Sequence, residues 1–270
     1  MKRTVSHRGR VLVIAGSDSG GGAGIQADIK TVTALAGYAA TAVTAITVQN
    51  TLGVTGVFSI PVEVIEAQGR VVLDDIGADA IKTGMLGDIA TVEAVARLVD
   101  RAGDVPAVID PVMIAKGGAA LLPEQAISAI TSVLVPRAAL LTPNAPEAAT
   151  LTGIPVETTD DLRRAGEDLL RRGAKAVLMK GGHVAGARVV DVLMTSKGEA
   201  TFEGDRIDTR HTHGTGCTLA SACATGLAQG LPLEEAVSRA WGYVREAIAR
   251  APGLGAGHGP LDHAWPMRKS

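Results

Sequence analysis

Short β-rich apolar runs alternate with longer helical patterns from one end of this 270-residue chain to the other. The strand patterns are Val11–Ala15, Ala42–Val48, Ala78–Ile81, Ala107–Ile109, Ala139–Leu141 and Ala176–Met179. Between them lie amphipathic segments at Ile25–Ala36, Val62–Leu73, Ile89–Ala102, Glu124–Leu134 and Asp161–Arg171. Parallel strands need a crossover rather than a tight turn, and a strand of continuous Val, Ile and Ala must be covered on both faces. The pattern therefore predicts an α/β fold, with a mostly parallel central sheet flanked by helices on both faces. Pro61 and Pro123 suit first-turn helix positions, and Gly37, Gly103 and Gly173 suit helix ends.

The stretch Arg188–Glu203 reads differently. Val189–Met194 and Ala200–Phe202 flank the turn-forming Ser196-Lys197-Gly198, which predicts an antiparallel hairpin at one sheet edge. Helical patterns follow at Gly216–Gln229 and Leu233–Ala251, then a glycine-rich tail at Gly253–Gly259. No repeat or long linker divides the chain, so one domain is expected over residues 1–270, with 1–10 as a flexible extension.

Hydrophobic residues make up 46% but aromatics only 2%, so the core must be built from Ala, Val, Leu and Ile. The formal charge of -2 is spread along the chain, and no basic block suggests a nucleic-acid face. The basic start is followed by an apolar run that breaks at Gly16, which is too short for a signal peptide or membrane span. Cys217 and Cys223 fall on different faces of one helix and do not suit a disulfide. A reducing, cytoplasmic setting is expected.

Each apolar strand ends in a polar or glycine cluster: Gly16-Ser17-Asp18, Gln49-Asn50, Lys82-Thr83-Gly84, Asp110-Pro111, Thr142-Pro143-Asn144 and Lys180-Gly181-Gly182. Ligands of open α/β sheets bind outside the carboxyl ends of the strands, so these clusters predict a site along that edge. His213-Gly214-Thr215-Gly216-Cys217 runs straight into a helix former, a place where backbone N–H groups and the helix dipole can hold an anion. Such a turn suits the charge on a transferring phosphoryl group. No P-loop motif is present, and the glycines of Gly16–Gly24 do not match the dinucleotide spacing.

Cys217, at a first helical turn, sits where a thiol pKa is lowered and can act as base or hydrogen-bond acceptor; packing is the alternative role. Cys223, deeper in the helix, reads as packing. Asn144 and Glu147 form a capping-box pattern, and the carboxylate can also orient water around Mg²⁺. Lys180, directly after Val-Leu-Met, can neutralise phosphate charge. Asp28, one turn into its helix, can reach a ligand amine or else face solvent. His211 and His213 lack the further ligands of a zinc site and suit loop or capping roles.

Ala15-Gly16-Ser17-Asp18-Ser19-Gly20-Gly21-Gly22-Ala23-Gly24-Ile25-Gln26-Ala27-Asp28 resembles the opening signature of the hydroxymethylpyrimidine and phosphomethylpyrimidine kinases of thiamine biosynthesis. So do Val48-Gln49-Asn50-Thr51, Lys82-Thr83-Gly84-Met85-Leu86, Asp110-Pro111-Val112-Met113, Thr142–Ala148, Met179–His183, Thr212–Thr218 and the tail Gly255–Pro260, all in family order. The resemblance implies a ribokinase-like fold and transfer of the ATP γ-phosphoryl to hydroxymethylpyrimidine, then to its monophosphate. It implies that Gly16, Asp28, Gln49, Met85 and Val112 line the pyrimidine pocket. By the same resemblance, Asp110 and Glu147 serve Mg²⁺, with Asn144 beside them at the phosphates. Lys180, Thr215 and Gly216 bind phosphate, Gly214 to Cys217 form the anion hole, and Cys217 takes the substrate proton. Cys217 departs from the Asp frequent in the wider superfamily, although one class of pyridoxine kinases also carries Cys, and Gly20 stands where Ser is frequent.

The expected partners are a small-molecule alcohol and a second copy of the chain, with no nucleic acid and no membrane. The nearest alternative is a pyridoxine or pyridoxal kinase of the same fold. A non-catalytic sensor of thiamine precursors is a further alternative, but it has no need of the Gly214–Cys217 turn or Lys180. A cysteine-nucleophile hydrolase lacks a positioned His/Asp signature.

Overall fold

The computed structural model describes residues 8–113 and 123–268. Of the expected 1–10 extension, residues 1–7 lie outside that range, and Arg10 already opens the first strand. The strands are β1 (Arg10–Asp18), β2 (Tyr38–Asn50), β3 (Gly53–Ser59), β4 (Ala80–Thr83), β5 (Ala107–Ile109), β6 (Leu140–Leu141), β7 (Ala176–Met179), β8 (Arg188–Thr195) and β9 (Gly198–Asp205). The helices are α1 (Gly24–Ala34), α2 (Val62–Asp75), α3 (Ile89–Arg101), α4 (Glu124–Ala129), α5 (Ala145–Thr152), α6 (Thr159–Arg171), α7 (Thr215–Ala228) and α8 (Leu233–Ala249).

Among the described residues nine strands form one sheet in the order β3-β2-β1-β4-β5-β6-β7-β8-β9. The stretch from β2 to β7 is parallel, while β3, β8 and β9 pair antiparallel at the two edges. The predicted hairpin is therefore present as β8–β9. A second antiparallel ribbon, β2–β3, carries the opposite edge and was not expected from the sequence. The helical pattern at Glu124–Leu134 is α4 continued by a π turn at Ile130–Leu134 and a tight turn at Val135–Arg137.

The alternation of strand side chains splits the core in two. Leu12 and Ile14 of β1, with Ile81, Ile109, Leu141 and Val177, pack against Ile65 of α2, Val92 and Val95 of α3 and Leu162 of α6. Val11, Val13 and Ala15, with Ala80, Val108, Leu140 and Leu178, pack against Val32 of α1, Leu219 and Cys223 of α7 and Val237 of α8. Small residues dominate α7, with Ala220, Ala222 and Ala224 fully buried, which lets it lie close over the sheet centre. That closeness brings the N-terminus of α7 to the carboxyl ends of the parallel strands.

Candidate active site

At this edge lies a cleft of about 310 Å³. It is lined by Gly16, Gln49, Met85, Asp110, Val112, Asn144, Glu147, Lys180, Gly214, Thr215, Gly216 and Cys217. The structure thus gathers residues from seven strand ends, loops and helix starts that the sequence pattern singles out. Asp18, Thr47 and His213 also line it and were not among the expected site residues.

The anion-holding end is built by α7. Gly214 caps this helix with a left-handed backbone (φ 83) and no side-chain cap. A Cβ there would overlap the carbonyl oxygen of Gly22, so only glycine fits. The backbone N–H groups of Gly216 and Cys217 donate to no described residue, which leaves them for an anion in the cleft. A Cβ on Gly216 would come 3.2 Å from Lys180 Nζ and 3.7 Å from Asp110 Oδ2, so ammonium and carboxylate both approach this turn.

Lys180 Nζ donates to Asp110 Oδ1 at 3.1 Å and lies 3.7 Å from Glu147 Oε2. Burial works against its charge, but Asp110 and Glu147 outweigh that and hold the ammonium above its ordinary range. Burial pushes the Glu147 carboxyl up to about 7, with Lys180 opposing and Asp110 reinforcing. The capping box is present: Glu147 N–H donates to Asn144 Oδ1 at 2.9 Å, and Asn144 N–H donates to Glu147 Oε2 at 2.8 Å. Capping and a place at the cleft wall are held by the same two side chains.

The site fits a hydrated cation. Asp110 is buried, Thr142 Oγ1 donates to its Oδ1 at 3.0 Å, and its Oδ2 has no hydrogen-bond partner. Among the described residues no group of three or more His, Cys, Asp or Glu gathers into a full ligand set. Mg²⁺ keeps several waters and takes only one or two carboxylates, which is what Asp110 and Glu147 offer.

Two expectations are corrected. Asp28 faces neither ligand nor solvent. Its carboxylate and Lys82 are both 0% exposed, with Lys82 Nζ donating to Oδ1 at 2.9 Å and Oδ2 at 3.0 Å. Ser221 Oγ, one turn beyond Cys217 on α7, donates to Oδ1 at 2.6 Å. Burial disfavours charge on Lys82, and Asp28 overcomes it, so the ammonium is held above its ordinary range. The Cys217 thiol is raised to about 11 rather than lowered. Burial is the main cause; Lys82 and the Gly24 N–H oppose it, while Asp28 and Asp110 add to it. The helix start alone does not offset this desolvation. Cys223 is buried in the core and pushed up to about 12, as its packing role requires.

His213 also does more than shape a loop. Its Nε2 lies 2.9 Å from Asp18 Oδ2 and 3.1 Å from the Gln49 side-chain nitrogen. The local signal for Asp18 is an acidic strand end followed by Gly20-Gly21-Gly22, whose bent backbone turns amides onto the carboxylate.

Comparison with known proteins gives one consistent family. The profile of the phosphomethylpyrimidine kinase family matches residues 18–262. The hydroxymethylpyrimidine/phosphomethylpyrimidine kinase of Streptomyces coelicolor is 50% identical over 258 residues, covering 95% of each chain. The crystal structure of phosphomethylpyrimidine kinase from Clostridium difficile superposes with a TM-score of 0.79 at 40% identity, covering 88% of this chain and 99% of that one. An ADP complex of Bacillus subtilis pyridoxal kinase gives a TM-score of 0.89 at 37% identity, covering 95% and 98%. The ribokinase-like architecture expected from the motifs is the architecture found. With its motifs in family order and its cleft walled by them, the chain belongs to the phosphomethylpyrimidine kinase family.

Proposed function

We propose that this chain transfers the γ-phosphoryl of ATP to the hydroxymethyl group of 4-amino-5-hydroxymethyl-2-methylpyrimidine, and then a second phosphoryl to the monophosphate. The observation that carries the reading is the convergence, in one cleft, of an uncapped helix start, a half-buried lysine and a polar pocket wall. This occurs in a chain half identical to a kinase named for both pyrimidines.

Gly16, Gln49, Met85 and Val112 form the wall against the pyrimidine ring, with Gln49 supplying its amide to the polar edge. The N–H groups of the Gly214–Cys217 turn, with Thr215 and Gly216 at its centre, hold the equatorial oxygens of the transferring group. Lys180 neutralises phosphate charge from the opposite wall, and Asn144 fixes the loop beside it. Asp110 and Glu147 would hold Mg²⁺, which when bound would supply charge neutralisation at the phosphates. Cys217 accepts the hydrogen bond of the attacking hydroxyl and takes its proton in the thiolate form. Proton loss comes late in a loose phosphoryl-transfer transition state, so position and anion stabilisation outweigh base strength.

The pyridoxal kinase structures give the specific alternative. Their identities, 37% and 34% for two of them, lie below the 50% and 46% of the two pyrimidine kinases from Streptomyces coelicolor and Bacillus subtilis, which favours the pyrimidine. Mass analysis of the products from hydroxymethylpyrimidine and MgATP tests the reading. Species carrying one and then two added phosphates support it; strong preference for pyridoxal in a parallel assay overturns it.

A cytoplasmic homodimer of single kinase domains is part of the same proposal. Ile46 and Phe58 pair across the β2–β3 ribbon and are 49% and 63% exposed, with Val48 beside them at 50%. Such an apolar face, alternating with the Thr47 and Gln49 that line the cleft, suits burial against a second copy. Among the described residues no helix is long and apolar enough to cross a membrane.

A further inference from the structure

The polarity of the Gln49 amide can be read from its neighbours. With its nitrogen 3.1 Å from His213 Nε2 and its oxygen 3.2 Å from Thr47 Oγ1, the amide would be mismatched on both sides. Asp18 decides the first contact. The backbone N–H groups of Gly20, Gly22 and Ala23 donate to its carboxylate at 2.8, 3.0 and 2.8 Å. Burial alone would raise Asp18, but His213 and these amides more than offset it, so the group is ionised and purely an acceptor. His213 Nε2, 2.9 Å from Oδ2, therefore carries a hydrogen in either charge state of the ring. A nitrogen donating there cannot accept from an amide N–H, so the oxygen of Gln49 belongs on that side.

Thr47 agrees with that answer. Its Oγ1 lies 3.0 Å from the carbonyl oxygen of Ser17, which can only accept. With its single hydrogen on that carbonyl, the nearer of its two acceptors, the hydroxyl can only accept towards Gln49. The nitrogen of Gln49 belongs on the Thr47 side. Turning the amide end over leaves its shape unchanged, removes the opposition of two N–H groups at His213, whose one Nε2 hydrogen is then shared between Asp18 and the Gln49 oxygen, and gives the Thr47 hydroxyl a donor. The glycine-rich tail keeps the partners in place: His258 N–H donates to Thr51 O at 2.8 Å, and His213 N–H to Gly259 O at 3.1 Å. The end of β2 and the loop bearing His213 are thus tied to one segment.

We propose that the Asp18–His213 pair and Thr47 lock the Gln49 amide with its oxygen towards His213, making His213 and Thr47 specificity-determining residues for the alcohol that this cleft accepts. A locked amide offers its donor and acceptor in one fixed order. A 4-aminopyrimidine edge presents an amine donor beside a ring-nitrogen acceptor, and a 4-oxopyrimidine edge presents the reverse. An amide free to turn serves either edge, whereas a locked one rejects the mismatched edge by leaving polar groups unpaired. The inference rests on the proposed pyrimidine substrate and adds how this chain chooses it.

The test uses steady-state kinetics of the full chain with hydroxymethylpyrimidine and its 4-oxo analogue. His213→Leu is expected to raise KM for the 4-amino substrate ~10-fold, with a smaller change in kcat, because a buried hydrogen-bond partner is lost. It is also expected to narrow the amino-over-oxo ratio of kcat/KM by ~10-fold. His213→Gln, which keeps a side-chain N–H, restores most of both. In a Gln49→Ala background, His213→Leu changes KM less than about 2-fold, since the two act through one interaction. If His213→Leu does not fold, Thr47→Val tests the other end of the amide, with the same expected coupling to Gln49. Equal losses with and without Gln49, or an unchanged amino-over-oxo ratio, overturn the lock alone. Absence of turnover of hydroxymethylpyrimidine by the unmodified chain overturns the substrate reading and the lock together.

Discussion

Lys82 Nζ donates to both carboxylate oxygens of Asp28, at 2.9 and 3.0 Å, directly beneath the part of α7 that carries Cys217 and Ser221. Neither side chain is exposed. The pair pins α1 and β4 to α7, and so sets the height at which the helix start meets the cleft.

Breaking one half of this pair leaves an uncompensated buried charge. Asp28→Ala is expected to destabilise the fold by ~3–5 kcal/mol in urea denaturation. Replacing both partners, as in Asp28→Leu with Lys82→Met, is expected to recover most of that loss, because the charges are then removed together. A single substitution that leaves stability unchanged would show that the pair does not hold α7.

Cys217 gives a pH prediction. A thiol raised to about 11 stays protonated through neutrality, and only the thiolate accepts a proton. Below that value the thiolate fraction grows ~10-fold per pH unit, so kcat/KM is expected to climb between about pH 7 and 9 without a plateau assignable to Cys217. Cys217→Ala is expected to lower kcat by ~10²–10⁴-fold, to leave ATP affinity nearly unchanged and to remove the slope. A Cys217-dependent plateau below pH 8 would contradict the raised thiol, and equal loss of kcat and ATP affinity would point to packing.

Gly214 is the residue on which the phosphate-facing turn depends. Its left-handed backbone alone makes Gly214→Ala cost ~1–3 kcal/mol, and the new Cβ must also displace the Gly22 carbonyl. Moving the amides that follow is expected to lower kcat by ~10²–10³-fold, the range for losing one preorganised donor. Thermal denaturation and ADP release measure the two effects. Full activity in this variant would remove the turn from the mechanism.

The parallel strands were legible because burial on both faces leaves unbroken apolar runs such as Val11–Ala15 and Ala176–Met179. The capping box was legible because Asn144 and Glu147 are local partners. β3 was not, since Gly53–Ser59 lies at an exposed edge and needs no apolar run. The misplacement of Asp28 has the same kind of cause: its partner Lys82 comes from another strand, and helical spacing carries no record of it. The place of Cys217 at a helix start is legible in the sequence, but the direction of its titration is set by tertiary burial. Asp18, Thr47 and His213 come together only through β1, β2 and the loop before α7, so no single motif announces the network.

The central claim is that backbone amides at the start of α7 hold the phosphoryl group as it changes partners. A crystal structure with hydroxymethylpyrimidine, Mg²⁺ and a non-hydrolysable ATP analogue tests it most directly. The account predicts terminal-phosphate oxygens within hydrogen-bonding distance of the Gly216 and Cys217 N–H groups, with Lys180 on the same phosphate. A terminal phosphate ordered elsewhere in the cleft, with those amides facing only water, would contradict it.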